Sequence, residues 1–175
     1  MGRGVKLRVL TVVLAVAMLL SSAVAAPVAA HEPKPFVRGS LAGIVAAHAG
    51  SPFIVAFWST DCVPCLVNLR LWRELIEERP DIALVLVSTD RPDDLPRLQR
   101  LIERHKLQAA ESWMFADAFI ERLYADVDRS WGGELPRTHL FDAHGERRLV
   151  EGIIDKHALI DWIDSRKLTN ANHPR

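Results

Sequence analysis

The sequence predicts an α/β fold, a central mixed sheet flanked by helices, and three observations carry that prediction. Two continuous apolar runs, Phe53–Trp58 and residues 82–87, lack polar alternation and read as interior strands. Apolar residues at helical spacing follow each of them. Farther on, Asp142-Ala143-His144-Gly145 separates two short β-type stretches and reads as a hairpin turn, with glycine where positive φ is needed.

The elements follow in order. Residues 31–39, with Pro33 and Pro35, read as a linker. Ser40 is placed to cap a helix over 41–48, and Gly50 is its stop. After Phe53–Trp58 comes a helix over 62–78. Leu66, Leu69, Trp72 and Ile76 form its apolar stripe, and Arg70, Arg73, Glu74, Glu77 and Glu78 its wet face. Strand 82–87 is followed by Pro92-Asp93-Asp94, a helix start with prolines and acids in the first turn. That helix carries Leu95, Leu98, Leu101 and Ile102 and ends near Lys106.

Residues 112–115 read as a short strand. Asp117 is placed to cap a helix bearing Phe119, Ile120, Leu123 and Tyr124. Residues 130–133 form a loop, 138–141 and 148–153 the hairpin strands. Asp155 caps a last helix that buries Leu159, Ile160, Trp162 and Ile163, with Arg166 and Lys167 at its C-terminal end. Residues 169–175 read as a polar tail. The order is β-α-β-α, a short β-α insertion, then a hairpin and a helix, all within one domain over 40–168.

The 22 basic and 22 acidic residues of the 175 balance, so no basic excess points to nucleic acid. The first thirty residues read as an export leader. Arg3, Lys6 and Arg8 precede an apolar run from Leu10 to Leu20, and small residues follow. A cut after Ala25 fits best. A cut after Ala30, or an uncleaved membrane anchor over 10–30, are the other two readings. Each places the domain outside the cytoplasm, in a periplasmic or other extracytoplasmic space.

The two cysteines of the chain stand as Cys62-Val63-Pro64-Cys65 where a strand meets a helix. Such a pair also serves zinc, or a structural disulfide. A ring closed over two residues constrains the unfolded chain little, so it is a poor staple and a good redox switch. The helix N-terminus favours a thiolate on the first sulfur.

The stretch Phe57-Trp58-Ser59-Thr60-Asp61-Cys62-Val63-Pro64-Cys65 resembles the thioredoxin-fold proteins, above all the exported TlpA-like and ResA-like thiol–disulfide oxidoreductases. Leu135-Pro136-Arg137-Thr138, followed by Gly145, resembles the cis-proline segment of that family. The resemblance covers about 40–168 and implies a thioredoxin-like fold with a short βα insertion between its βαβ and ββα halves. It implies Cys62 as the nucleophile and Cys65 as the resolving cysteine. Trp58, Leu135 and a cis Pro136 would line the substrate site. No cofactor beyond the redox-active Cys62–Cys65 disulfide is expected. The partners implied are proteins with thiols or disulfides, such as those of cytochrome c or copper-site maturation, and a membrane thiol as electron donor.

The chain departs from the family at three places. Ala56 stands where thioredoxin has a buried Asp, Asn68 where ResA-like proteins have a Glu, and Arg70 where a proline kinks the helix. The usual base for Cys65 is therefore missing, which predicts a selective or slow exchanger. Asp61, next to Cys62, is the candidate for proton transfer nearest in sequence. The alternative reading is a copper metallochaperone with Cys62, Cys65 and His139 as ligands, since soft thiolates and imidazole suit copper. As an ordinary core residue, His139 has no such role. His31, His48, His105, His144, His157 and His173 read as solvent-facing.

Overall fold

The computed structural model describes residues 32–171. The leader, His31 and the last four residues lie outside the described residues. Six strands form one mixed sheet: β1 (Lys34–Phe36), β2 (Phe53–Trp58), β3 (Ala83–Ser88), β4 (Glu111–Phe115), β5 (Arg137–Phe141) and β6 (Arg147–Glu151). Their spatial order is β1-β4-β3-β2-β5-β6. The first four of that order run parallel, and β5 and β6 are antiparallel additions. Five helices accompany them: α1 (Ser40–Ala47), α2 (Val63–Glu78), α3 (Leu95–Arg104), α4 (Ile120–Val127) and α5 (Lys156–Ala171).

Alternation along β2 sorts the core into two layers. Ile54, Ala56 and Trp58 face Cys65, Leu69 and Trp72 of α2, with Leu98 of α3 and Trp162 and Ile163 of α5. Phe53, Val55 and Phe57 face Ile44 of α1 and Leu123 and Val127 of α4. Three helices thus cover one face and two the other. With both faces covered, every residue of β2 is buried, which is why its sequence shows no alternation.

Several boundaries differ from the sequence reading, for local reasons. The stretch read as a linker contains β1, which pairs with β4. Two prolines and a length of three residues hide it, and Pro35 is tolerated because an edge strand leaves one side unpaired. Ser40 does not cap α1. Gly39, at φ 83°, stands at the cap, and the Ser40 hydroxyl accepts the Val37 N–H at 2.9 Å. Cys62 itself is the N-cap of α2, which starts at Val63. A 3₁₀ turn, Pro92–Asp94, precedes α3.

Phe119 sits before α4 rather than on its buried stripe. It is exposed and lies beneath the Arg122 guanidinium, 4.3 Å away. Ile160 is half-buried. α5 runs on to Ala171, so 169–171 are helical and Arg166 is not in the last turn. The hairpin turn is as the sequence reads it: Gly145, at φ 82°, donates its N–H to Asp142 O at 3.0 Å, but the return strand is Arg147–Glu151 and stops short of residue 153. Two histidines are less exposed than expected. His48 stacks on Phe53 and contacts Glu111, and His105 is half-buried.

Candidate active site at the Cys62–Cys65 disulfide

β2 delivers the chain to the N-terminus of α2, and the two cysteines occupy that junction. They form a disulfide with S–S 2.05 Å and Cα–Cα 5.2 Å. As N-cap, Cys62 accepts the Cys65 N–H on its sulfur at 3.2 Å. Cys62 is half-buried and Cys65 is 1% exposed. The sulfurs are therefore unequal: the outer one faces solvent at the positive end of the helix, where a thiolate is favoured, and the inner one is packed away. Val63 between them is 72% exposed.

The turn ahead of Cys62 is fixed by a residue the sequence reading passed over. Asp90 lies just past β3, and its buried carboxylate accepts the Thr60 N–H on both oxygens (3.1 and 3.0 Å). It also accepts the Thr60 hydroxyl at 3.0 Å and the Ser88 hydroxyl at 2.5 Å. Burial pushes its acidity down, against the opposing effect of these donors. The only sequence signal was a Ser-Thr-Asp cluster closing a strand.

The Leu135–Pro136 peptide is cis. Pro136 is buried and Leu135 half-buried. A chain of hydrogen bonds links this segment to α2. Gly152 N–H donates to Pro136 O at 2.9 Å, Asn68 Nδ2 donates to Gly152 O at 3.1 Å, and Ile154 N–H donates to Asn68 Oδ1 at 3.1 Å. Asn68 is thus committed through both ends of its amide. Ala56 pairs with Leu86 and Thr138 on its two sides, in the middle of the sheet.

No protein-family model and no curated protein matches the chain. Solved structures do match it. A secreted disulfide oxidoreductase of Mycobacterium tuberculosis, described as homologous to DsbE of E. coli, superposes with a TM-score of 0.57 at 19% identity, over 69% of this chain and 85% of its own. A thiol:disulfide interchange protein of the thioredoxin family from Chlorobium tepidum gives 0.53 at 18% identity, over 69% and 83%. An exposed lipoprotein thioredoxin of Streptococcus pneumoniae gives 0.53 at 14%, over 69% and 89%. The fold is thioredoxin-like.

Within this thioredoxin-like fold, three sequence-predicted site residues take other roles. Trp58 is buried on the Cys65 side of the sheet, so it packs beneath the dithiol and is not a docking surface. Asp61 is 78% exposed and ion-paired with Arg97. Its carboxylate lies at the surface, against the Arg97 guanidinium. His139 belongs to the opposite face from Cys65: its ring contacts Phe57 and Phe141, in the α1 and α4 layer. The sheet separates it from the sulfurs, which rules out the Cys62, Cys65, His139 copper set. Among the described residues no group of three His, Cys, Asp or Glu is placed to hold a metal. A cavity of about 850 Å³ lies at the other end of the sheet, against Val45, Phe53 and Phe141.

Proposed function

We propose that this chain is an exported thiol–disulfide oxidoreductase of the TlpA-like and ResA-like kind, which exchanges disulfides with partner proteins. The observation that carries this reading is a disulfide of unequal sulfurs at a helix N-terminus, tied through Asn68 and Gly152 to a cis Leu135–Pro136 segment. Cys62 is the nucleophile and Cys65 resolves. Leu135 and Pro136 form the docking edge. In the reducing direction, the Cys62 thiolate attacks one sulfur of a partner disulfide and the partner's other sulfur leaves as a thiolate. Cys65, deprotonated, then attacks Cys62, forms the intramolecular disulfide and releases the second partner sulfur. Two electrons pass to the partner, and its two thiolates take up protons. A membrane dithiol donor restores the pair by the reverse exchange.

Export rests on the leader sequence, and some structural neighbours are described as a secreted protein or an exposed lipoprotein. Among the described residues no helix is long and apolar enough to cross a membrane. The finer reading is a reductant for partners of the cytochrome c or copper-site kind. With Ala56 and Asn68 where related proteins carry acids, deprotonation of Cys65 is the slow step, and exchange is selective. A Cys65→Ser variant should accumulate mixed disulfides through Cys62 in an extracytoplasmic extract. If none forms, while Cys62→Ser behaves identically, exchange is not the function. The potential of the Cys62–Cys65 pair then separates reductant from oxidant: a value near thioredoxin's indicates the former.

A further inference from the structure

Behind the Leu135–Pro136 segment, on the sheet face away from the cysteines, lies a charged cluster that disulfide exchange does not itself require. Arg137, the residue after Pro136, is 4% exposed in its side chain. Each part of its guanidinium has an acceptor: Nη2 donates to Asp128 Oδ2 at 2.8 Å, Nη1 to Glu151 Oε1 at 2.9 Å and Nε to His139 Nε2 at 3.3 Å. The plane lies 5.3 Å from the Trp131 ring. Glu151 is well exposed, so its pairing counts for little; Asp128 is the partner held against the protein.

Asp128 also closes the start of the same loop. Its Oδ1 accepts the Ser130 N–H at 3.0 Å and the Ser130 hydroxyl at 2.7 Å, and its backbone carbonyl accepts the Trp131 N–H at 2.9 Å. The buried Trp131 indole then donates to Glu134 O at 2.9 Å, directly ahead of Leu135. One carboxylate therefore holds the loop where it leaves α4 and where it enters β5, with an indole bracing its middle. We propose that the Asp128–Arg137 pair, with Trp131, is a positioning device that sets the Leu135–Pro136 edge for partner docking without acting on the dithiol.

This rests on the exchange reading above and deepens it. Burying the Arg137 guanidinium is costly relative to apolar packing, and the best-attested use of such a charge pair is to fix one geometry. Here it sits beside the segment whose geometry matters, on the far face from the sulfurs. The donors from Ser130, foremost, and then Arg137 hold the Asp128 carboxyl down to about 2, so that carboxylate stays charged at working pH.

The test compares Asp128→Asn and Arg137→Lys with the parent chain. Each protein, reduced, reacts with two probes: a linear peptide bearing one cysteine disulfide-bonded to cysteamine, and hydroxyethyl disulfide, which has no backbone to dock. Both variants should react with the peptide roughly tenfold more slowly, equivalent to about 1.4 kcal/mol of lost docking. Their rates with hydroxyethyl disulfide and their reduction potentials should match the parent. Equal losses with both probes, or no loss with either, overturn the proposal. If the parent reacts with neither probe faster than Cys62→Ser does, the exchange reading itself fails and this one with it. Should Arg137→Lys not fold, Asp128→Asn decides alone, because it is isosteric and its site is partly open to solvent.

Discussion

His139 shows how the same residue reads differently once its neighbours are known. The Arg137 Nε donates to its Nε2, and Arg147 Nη1 lies 3.5 Å from its Nδ1. Burial first, and then the Arg147 and Arg137 charges, hold the ring neutral down to about pH 3, with Asp128 opposing. In the unfolded chain the imidazole takes its proton near 6.5. Below that pH the unfolded state binds a proton that the folded state refuses. Stability is therefore unaffected above about 6.5 and falls as pH drops toward 3, by roughly 1.4 kcal/mol per unit. Urea midpoints against pH should show this slope in the parent and lose it in His139→Gln. Asp128 contributes separately: its folded value is depressed, so its stabilisation is present above 3.8 and fades toward 2, in parent and variant alike. An unchanged slope between pH 6 and 4 in His139→Gln would mean the ring is protonated in the folded protein.

At the scale of the element, α2 serves two ends. Its N-terminus presents the dithiol, and its second turn anchors the connection from β6 to α5. Asn68 makes that anchor by donating to Gly152 O and accepting from Ile154 N–H. A carboxylate in its place could accept but not donate, so the position suits an amide here. Asn68→Ala leaves a backbone donor and acceptor unpaired and should cost about 1–3 kcal/mol in chemical denaturation. Asn68→Asp keeps one of the two contacts and sets the Gly152 carbonyl against a negative charge. It should be no more stable than Asn68→Ala, and an Asp variant as stable as the parent would show that the donated bond carries no weight. The connection is also the far side of the Pro136 contact, so both variants should disturb the Leu135–Pro136 segment.

For the molecule as a whole, the sheet is completed by its shortest strand. β1 covers the edge of β4, and Phe36 is fully buried, stacking on Phe115 at 5.2 Å and meeting Phe57 edge-on at 5.9 Å. Phe36→Ala should cost about 3–5 kcal/mol, the range for a large aromatic removed from a core. A loss below 1 kcal/mol by thermal or urea unfolding would show β1 to be decoration.

Much of this was legible beforehand. Long apolar runs give β2 and β3, because a strand covered on both faces needs no polar residue. The Cys-x-x-Cys at the strand end gives the disulfide at a helix N-terminus, because capping is local. The hairpin follows from Gly145. What the sequence could not supply is whatever depends on residues far apart in the chain. β1 exists only because β4 is there to pair with it. Asp90 matters because β3 lies beside β2, which brings its carboxylate to Thr60. His139 is parted from Cys65 by the sheet, since alternate residues of β5 point to opposite faces and one register decides which. Arg137 reads as a stray charge on an apolar strand until Asp128 and Trp131 fold against it. Local chemistry was determined by the sequence alone. The partners of each buried polar group were decided by the tertiary structure, because burial makes a partner obligatory without naming it.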